Sequence, residues 1–289
     1  MKLRFTLALA GWAMMALTSL ASSQTAPMEW PRSVEAGTTL SVPTTGNGQA
    51  VLYIVGPMQV LRRDVHLGEA IVFAAGDLHN AGHYSVFLAG PTSTQAAEFD
   101  VKAQQPASLS FFAKPSRLPV DVHDGISGVV YVFDAFRNLV LAPAEVSFEL
   151  SEAGARARAL NTNTHNGVAW VRLDSTPKAG AAQFQARIGN ITEKRIVQQV
   201  PGEPCNLRMS ARRSGTRVEL ETEPLRDCKG NAVPDGTVVT FIERDHGTES
   251  TVDVPLKRGV ARTDLPARDG ATISVATGVV MGNEIRWQQ

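Results

Sequence analysis

After the first two dozen residues, apolar and polar side chains alternate along short runs that recur about every ten residues. Clear examples are AVLYIVG (50–56), HYSVFLAG (83–90), GVVYVFD (128–134), EVSFEL (145–150), GVAWVRL (167–173) and TVVTFIE (237–243). A period of two puts every second side chain on one face of an extended chain, so these runs predict half-buried β-strands. Gly, Pro, Asn and Asp separate them and supply turn geometry. The i, i+3, i+4 spacing of an amphipathic helix is nearly absent. Short strands at even spacing predict an all-β protein built from antiparallel β-sandwiches.

The runs repeat. Asp134, Asn138, Val146, Phe148 and Gly154 recur 93 residues later as Asp227, Asn231, Val239, Phe241 and Gly247. Gly167, Ala169 and Leu173 match Gly259, Ala261 and Leu265 at an offset of 92, and Gly180 and Ala186 match Gly270 and Ala276 at 90. Loop deletions between fixed strands shrink an offset in this way. A repeat of this length is one sandwich, which predicts tandem modules at 107–200 and 203–289. A third, divergent sandwich is expected at 27–103, with Pro- and Gly-bearing linkers at KAQQPA (102–107) and VPGEP (200–204).

The repeated residues carry a resemblance. D-x-x-x-N, then V-x-F, then G-x-A-x-x-x-L, then G-x-x-x-x-x-A is similar to the bacterial Ig-like modules of the invasin and intimin family, over 107–200 and 203–286. The resemblance implies two tandem Ig-like sandwiches over these residues, preceded by the divergent one, with a bacterial source and a link to adhesion. Its motifs carry no catalytic signature.

Composition adds a compartment. Lys2 and Arg4 precede an apolar stretch from Phe5 to Leu17, and Ala21 and Ser23 fit a cleavage site before Gln24. This predicts a signal peptide at 1–23 and a secreted, periplasmic or cell-surface protein. No later stretch is apolar enough to span a membrane. In an oxidising compartment the two cysteines, Cys205 and Cys228, are expected to form a disulfide. Closing a loop of that length stabilises by roughly 3 kcal/mol. The 28 basic and 28 acidic residues balance, so no strong field draws the chain to nucleic acid.

Candidate chemistry is sparse. DLHNAGHYSV (77–86) places His79 and His83 four apart, a metal-binding spacing only on a helix. Asn80-Ala81-Gly82-His83-Tyr84 instead fits a turn into a strand. There Gly82 supplies backbone freedom and the Tyr84 hydroxyl bonds back to upstream backbone, a tyrosine corner. In DVHDG, alternation would put Asp121 and His123 on one side of an extended segment, where they could share a surface cation, but Asp121, His123 and Asp124 better fit a polar loop before the strand near Ile126. The arginines of RMSARRSGTR (208–217) are expected to pair across strands with Glu219, Glu221 and Glu223. No nucleophile elbow, phosphate loop or H-E-x-x-H is present. Accordingly no catalytic, metal or cofactor residue is assigned, and no cofactor is expected.

Trp170 is the exception to a quiet surface. Alternation in GVAWVRLD puts Ala169, Val171 and Leu173 inward and Trp170 outward with Val168 and Arg172. An outward tryptophan fits either a partner contact or packing between sandwiches. The expected role is a non-enzymatic spacer, or a module binding a protein or cell-surface partner. The alternative is a carbohydrate- or peptide-binding accessory of an extracellular enzyme system. That role requires exposed aromatics in 27–103, where Trp30, Tyr53, Phe73, Tyr84, Phe87 and Phe99 mostly occupy core-like positions.

Overall fold

The structure, a computed structural model, describes residues 28–152, 156–266 and 268–288. The signal peptide expected at 1–23 and Gly154 of the repeat lie outside the described residues. Every regular element described is a strand, and no helix among the described residues is long and apolar enough to cross a membrane.

Three sandwiches follow one another, each around its own hydrophobic cluster. The first contains β1 (Ser33–Glu35), β2 (Leu40–Val42), β3 (Gln49–Gly56), β4 (Gln59–His66), β5 (Ile71–Phe73), β6 (Gly82–Ala89) and β7 (Thr94–Lys102). They form sheets β1-β7-β6-β3-β4 and β2-β5. The second contains β8 (Ser108–Lys114), β9 (Arg117–Pro119), β10 (Ile126–Phe133), β11 (Glu145–Glu152), β12 (Arg158–Asn163), β13 (Val168–Leu173), β14 (Gly180–Ile188) and β15 (Ile191–Val200). Its sheets are β13-β10-β8 and β12-β11-β14-β15-β9. The third contains β16 (Met209–Ser214), β17 (Arg217–Thr222), β18 (Val238–Asp245), β19 (Thr248–Pro255), β20 (Arg262–Pro266), β21 (Thr272–Thr277) and β22 (Val280–Arg286). These give β16-β17-β20 and β19-β18-β21-β22.

Pairing is antiparallel except at two edges, where β1 runs parallel to β7 and β9 to β15. In the second sandwich the opening stretch leaves the β8 sheet and joins the other as β9, beside the last strand. Alternation decides what is buried: Val146 and Phe148, like Val239 and Phe241, are fully buried. One repeat match slips. Val275 faces Phe241 as Ala186 faces Phe148, and Ala276 stands one place further along. The chain from Gly270 to the residue opposite Phe241 is one shorter than its counterpart from Gly180. Period two turns that single residue into a change of face.

The first sandwich is closed by its penultimate strand. Tyr84 is fully buried, stacks on Phe99 at 5.2 Å, and its hydroxyl donates to the Asn80 carbonyl at 2.7 Å. Burial pushes the hydroxyl pKa up against the opposing effect of that bond, so it remains a donor. Gly82 has φ +143, and a Cβ there would overlap the Pro57 ring. Tyr84→Phe is therefore expected to destabilise the chain by about 0.5–1.5 kcal/mol in denaturant titrations, and by more if the Asn80 carbonyl stays dry and unpaired. Gly82→Ala adds backbone strain to a steric overlap and should lower stability further.

Candidate functional site

The histidine stretch separates its imidazoles. His79 Nδ1 lies 2.8 Å from the Gly76 carbonyl, while His83 faces Asp100 at 3.1 Å and Glu98 at 3.6 Å. Asp77 is engaged elsewhere: Arg63 at 2.6 Å and the Ala74 amide at 2.7 Å hold its carboxyl below the ordinary value. In DVHDG, Asp121 and Asp124 have positive φ, so the segment turns and does not extend. Asp121 reaches Lys229 of the third sandwich at 2.8 Å. His123 meets Asp174 at 2.7 Å and Asp124 at 3.7 Å. The ligand atoms of His123, Asp124 and Asp174 lie within 4.8 Å of one another, close enough to share a cation. Asp174 also accepts the Asp124 amide at 2.8 Å, which, with His123 beside it, lowers its pKa.

The repeated D-x-x-x-N does more than form a turn. Asp134 Oδ1 accepts the amides of Phe136 and Asn138, and Oδ2 accepts the Gln104 amide and the Asn138 side chain. Asn138, oriented by these bonds, donates to the His79 carbonyl at 2.7 Å and accepts the Ala81 amide at 2.8 Å, both in the preceding sandwich. Asp227 and Asn231 repeat the arrangement. Asp227 collects Lys229, Asn231 and Gly202 amides and the Asn231 side chain, and Asn231 clasps Pro177 and Ala179 at 2.9 and 2.8 Å. Each asparagine amide thus acts as a peptide group, pairing with one loop of the neighbouring sandwich. Around the first clasp Phe136 packs on the first sandwich's core, where Gly37, with φ +72, leaves room for its ring. The turn was readable in the sequence and the reach across the boundary was not. Identical Asp and Asn at both boundaries was the available signal.

The disulfide joins Cys205 and Cys228. β16 starts at Met209, so Cys205 lies ahead of the third sandwich's first strand, in the connection beside the second clasp. Its amide donates to the Arg226 carbonyl at 2.9 Å, as the Ala107 amide donates to Phe133 at 2.8 Å. Ala107 and Ala135 occupy the matching positions at the first boundary, so only the second clasp is also held covalently.

The outward face of β13-β10-β8 is aromatic. Trp170 and Phe112 are 66% and 52% exposed and both lie directly opposite Val129, one on each side. Tyr131, 39% exposed, meets Phe112 edge to face at 6.1 Å. Packing between sandwiches does not account for Trp170 with so much of it open. In the third sandwich the same row reads Ser210, Glu221 and Arg262, with Arg262 ion-paired to Glu221 at 2.7 Å. The next row there pairs Arg212 with Glu219 at 2.6 Å. The fold therefore tolerates a fully polar row, and the apolar one on the second sandwich is a property of its sequence.

Two of the six aromatics in 27–103 form a second exposed pair. Tyr53 and Phe87 are 38% and 42% exposed and directly opposite each other on β3 and β6. The run LYIV is apolar on both faces, so alternation could not mark which side faces water. Phe73, Tyr84 and Phe99 are buried, and Trp30 packs against the core.

No family model matches the chain, and no curated protein matches it in sequence. Solved structures do match it in shape. The Escherichia coli adhesin FdeC aligns over 86% of this chain and 89% of its own, with a TM-score of 0.58 and 16% identity. InvD of Yersinia pseudotuberculosis aligns over 89% of this chain and 95% of its own, with a TM-score of 0.50 and 14% identity. The chain shares with these two proteins an architecture of tandem Ig-like β-sandwiches. At such identities the likeness is one of fold.

The second clasp has a defined pH dependence. Burial of Asp227 opposes its charge, but bonds from the Asn231 side chain and from the Gly202, Asn231 and Lys229 amides outweigh this and lower its pKa. A folded value below the unfolded one contributes stability that is fully present above about pH 3.9 and lost as pH falls through the folded value. Acid melts of Asp227→Asn should accordingly lack part of the wild-type loss in that window. Asn231→Ala should accelerate hydrogen exchange at Ala179 by roughly ten-fold, the equivalent of about 1.4 kcal/mol.

Proposed function

We propose that this chain is an exported, non-enzymatic protein that acts as a structural spacer and a protein- or surface-binding module at the cell envelope or outside the cell. The observation that carries it is the Phe112–Val129–Trp170 row, apolar where the equivalent row of the third sandwich is ion-paired. Exposed aromatics grouped on a rigid sheet are what interface centres use. Export is supported by the disulfide. The spacer role rests on the two clasps, which restrict bending at the connections. We place those boundaries at 102–107 and 200–204; limited proteolysis should cut there before it cuts within β10 or β18.

A second reading is favoured by Tyr53 and Phe87, which make the first sandwich a candidate for carbohydrate or peptide binding. The edge-to-face Phe112–Tyr131 pair, by contrast, does not offer the second sandwich's face as a flat platform for sugar rings.

The direct test installs the third sandwich's residues on the second. Phe112→Ser and Trp170→Arg both change exposed positions, so melting should move by no more than about 0.5 kcal/mol. Retention of the labelled protein on envelope fractions and on immobilised surface proteins should fall. Equal retention of wild type and double variant would remove this face from the function.

A further inference from the structure

The exposed aromatic side chains among the described residues fall on two faces: Phe112, Tyr131 and Trp170 on the second sandwich, Tyr53 and Phe87 on the first. Their rims carry opposite charge. Beside the Trp170 row, Lys114 and Arg172 flank Ser127, and no acidic residue occupies an outward position on β8, β10 or β13. Neither cation has a carboxylate partner among the described residues' ion pairs. On the first sandwich, Ala96 and Arg62 complete the Phe87–Tyr53 row, and along β7 Glu98 lies one outward row away and Asp100 two, with only His83 between them. Arg62 on the far side is already paired with Asp64 at 3.0 Å, and Lys102 lies at the end of β7 opposite Glu35.

We propose that these two faces bind each other between two copies of the chain, the first sandwich of one copy against the second sandwich of the other. This rests on reading the Trp170 face as a protein contact and names its partner. Like rims oppose the alternative in which the Trp170 face meets itself, since Lys114 and Arg172 would face their own copies. Against the first sandwich the aromatic rows meet aromatic rows while cations meet Glu98 and Asp100. Two pleated faces can stack about 10 Å apart, as sheets do within a sandwich. The contact is heterologous. Made reciprocally it is duplicated and closes a pair; made once per copy it extends into a chain of molecules.

Sedimentation of the full chain lacking 1–23, disulfide intact, measures this directly across the micromolar range. Wild type should self-associate, and Trp170→Arg should weaken association at least roughly ten-fold with unchanged melting. Two charge variants make the test specific. Lys114→Glu with Arg172→Glu makes both faces acidic, and Glu98→Lys with Asp100→Lys makes both basic. Each variant alone should be monomeric, and an equimolar mixture of the two should associate. A monomeric wild type, an indifferent Trp170→Arg, or a mixture that stays monomeric would overturn the proposal. Wild type that is monomeric yet retained on envelope fractions through Trp170 would overturn self-association and leave the binding reading intact.

Discussion

At each boundary between sandwiches, one aspartate carboxylate gathers four N–H groups and thereby aims one asparagine at the neighbouring sandwich. The arrangement of the molecule as a unit depends on this. Three sandwiches with separate cores would otherwise be joined by a few residues of Pro- and Gly-bearing chain. The carboxylate orders the turn, draws in the connection through Gln104 or Gly202, and leaves the asparagine amide only one orientation that satisfies both its ends. Charge-assisted bonds of this kind are stronger than neutral ones, so the carboxylate holds the turn, and with it the asparagine's orientation, more firmly than neutral bonds would.

The two boundaries are built alike and reinforced differently. The first adds an aromatic ring, Phe136, seated where Gly37 has no side chain. The second replaces that ring with Lys229, ion-paired to Asp121, and adds the disulfide one residue beyond the aspartate. Exposed ion pairs contribute little on their own, and a covalent link next to the clasp offsets the missing hydrophobic contact.

Holding the sandwiches in register also fixes which outward faces the molecule presents. Within each sandwich the buried side of the strands is constrained by packing, so Val146 and Phe148 recur as Val239 and Phe241. The outward side is free, and there the repeats diverge into an aromatic row on one and an ion-paired row on the next. Function, on this reading, sits where the fold makes no demand.

The sequence by itself determined the strands, the all-β class, the repeat, the cysteine pair and the outward direction of Trp170. Each of these follows from a local rule: alternation, turn chemistry, or residue type in its compartment. Tertiary structure alone decided that Phe112 and Trp170 share a row, because their common neighbour Val129 is set by the register of three strands distant in sequence. It also decided that Asn138 and Asn231 reach across boundaries, that Asp174 completes a cluster with His123, and that Tyr53 and Phe87 face water. Cross-strand neighbours depend on long-range closure, and a run apolar on both faces, such as LYIV, gives alternation nothing to read.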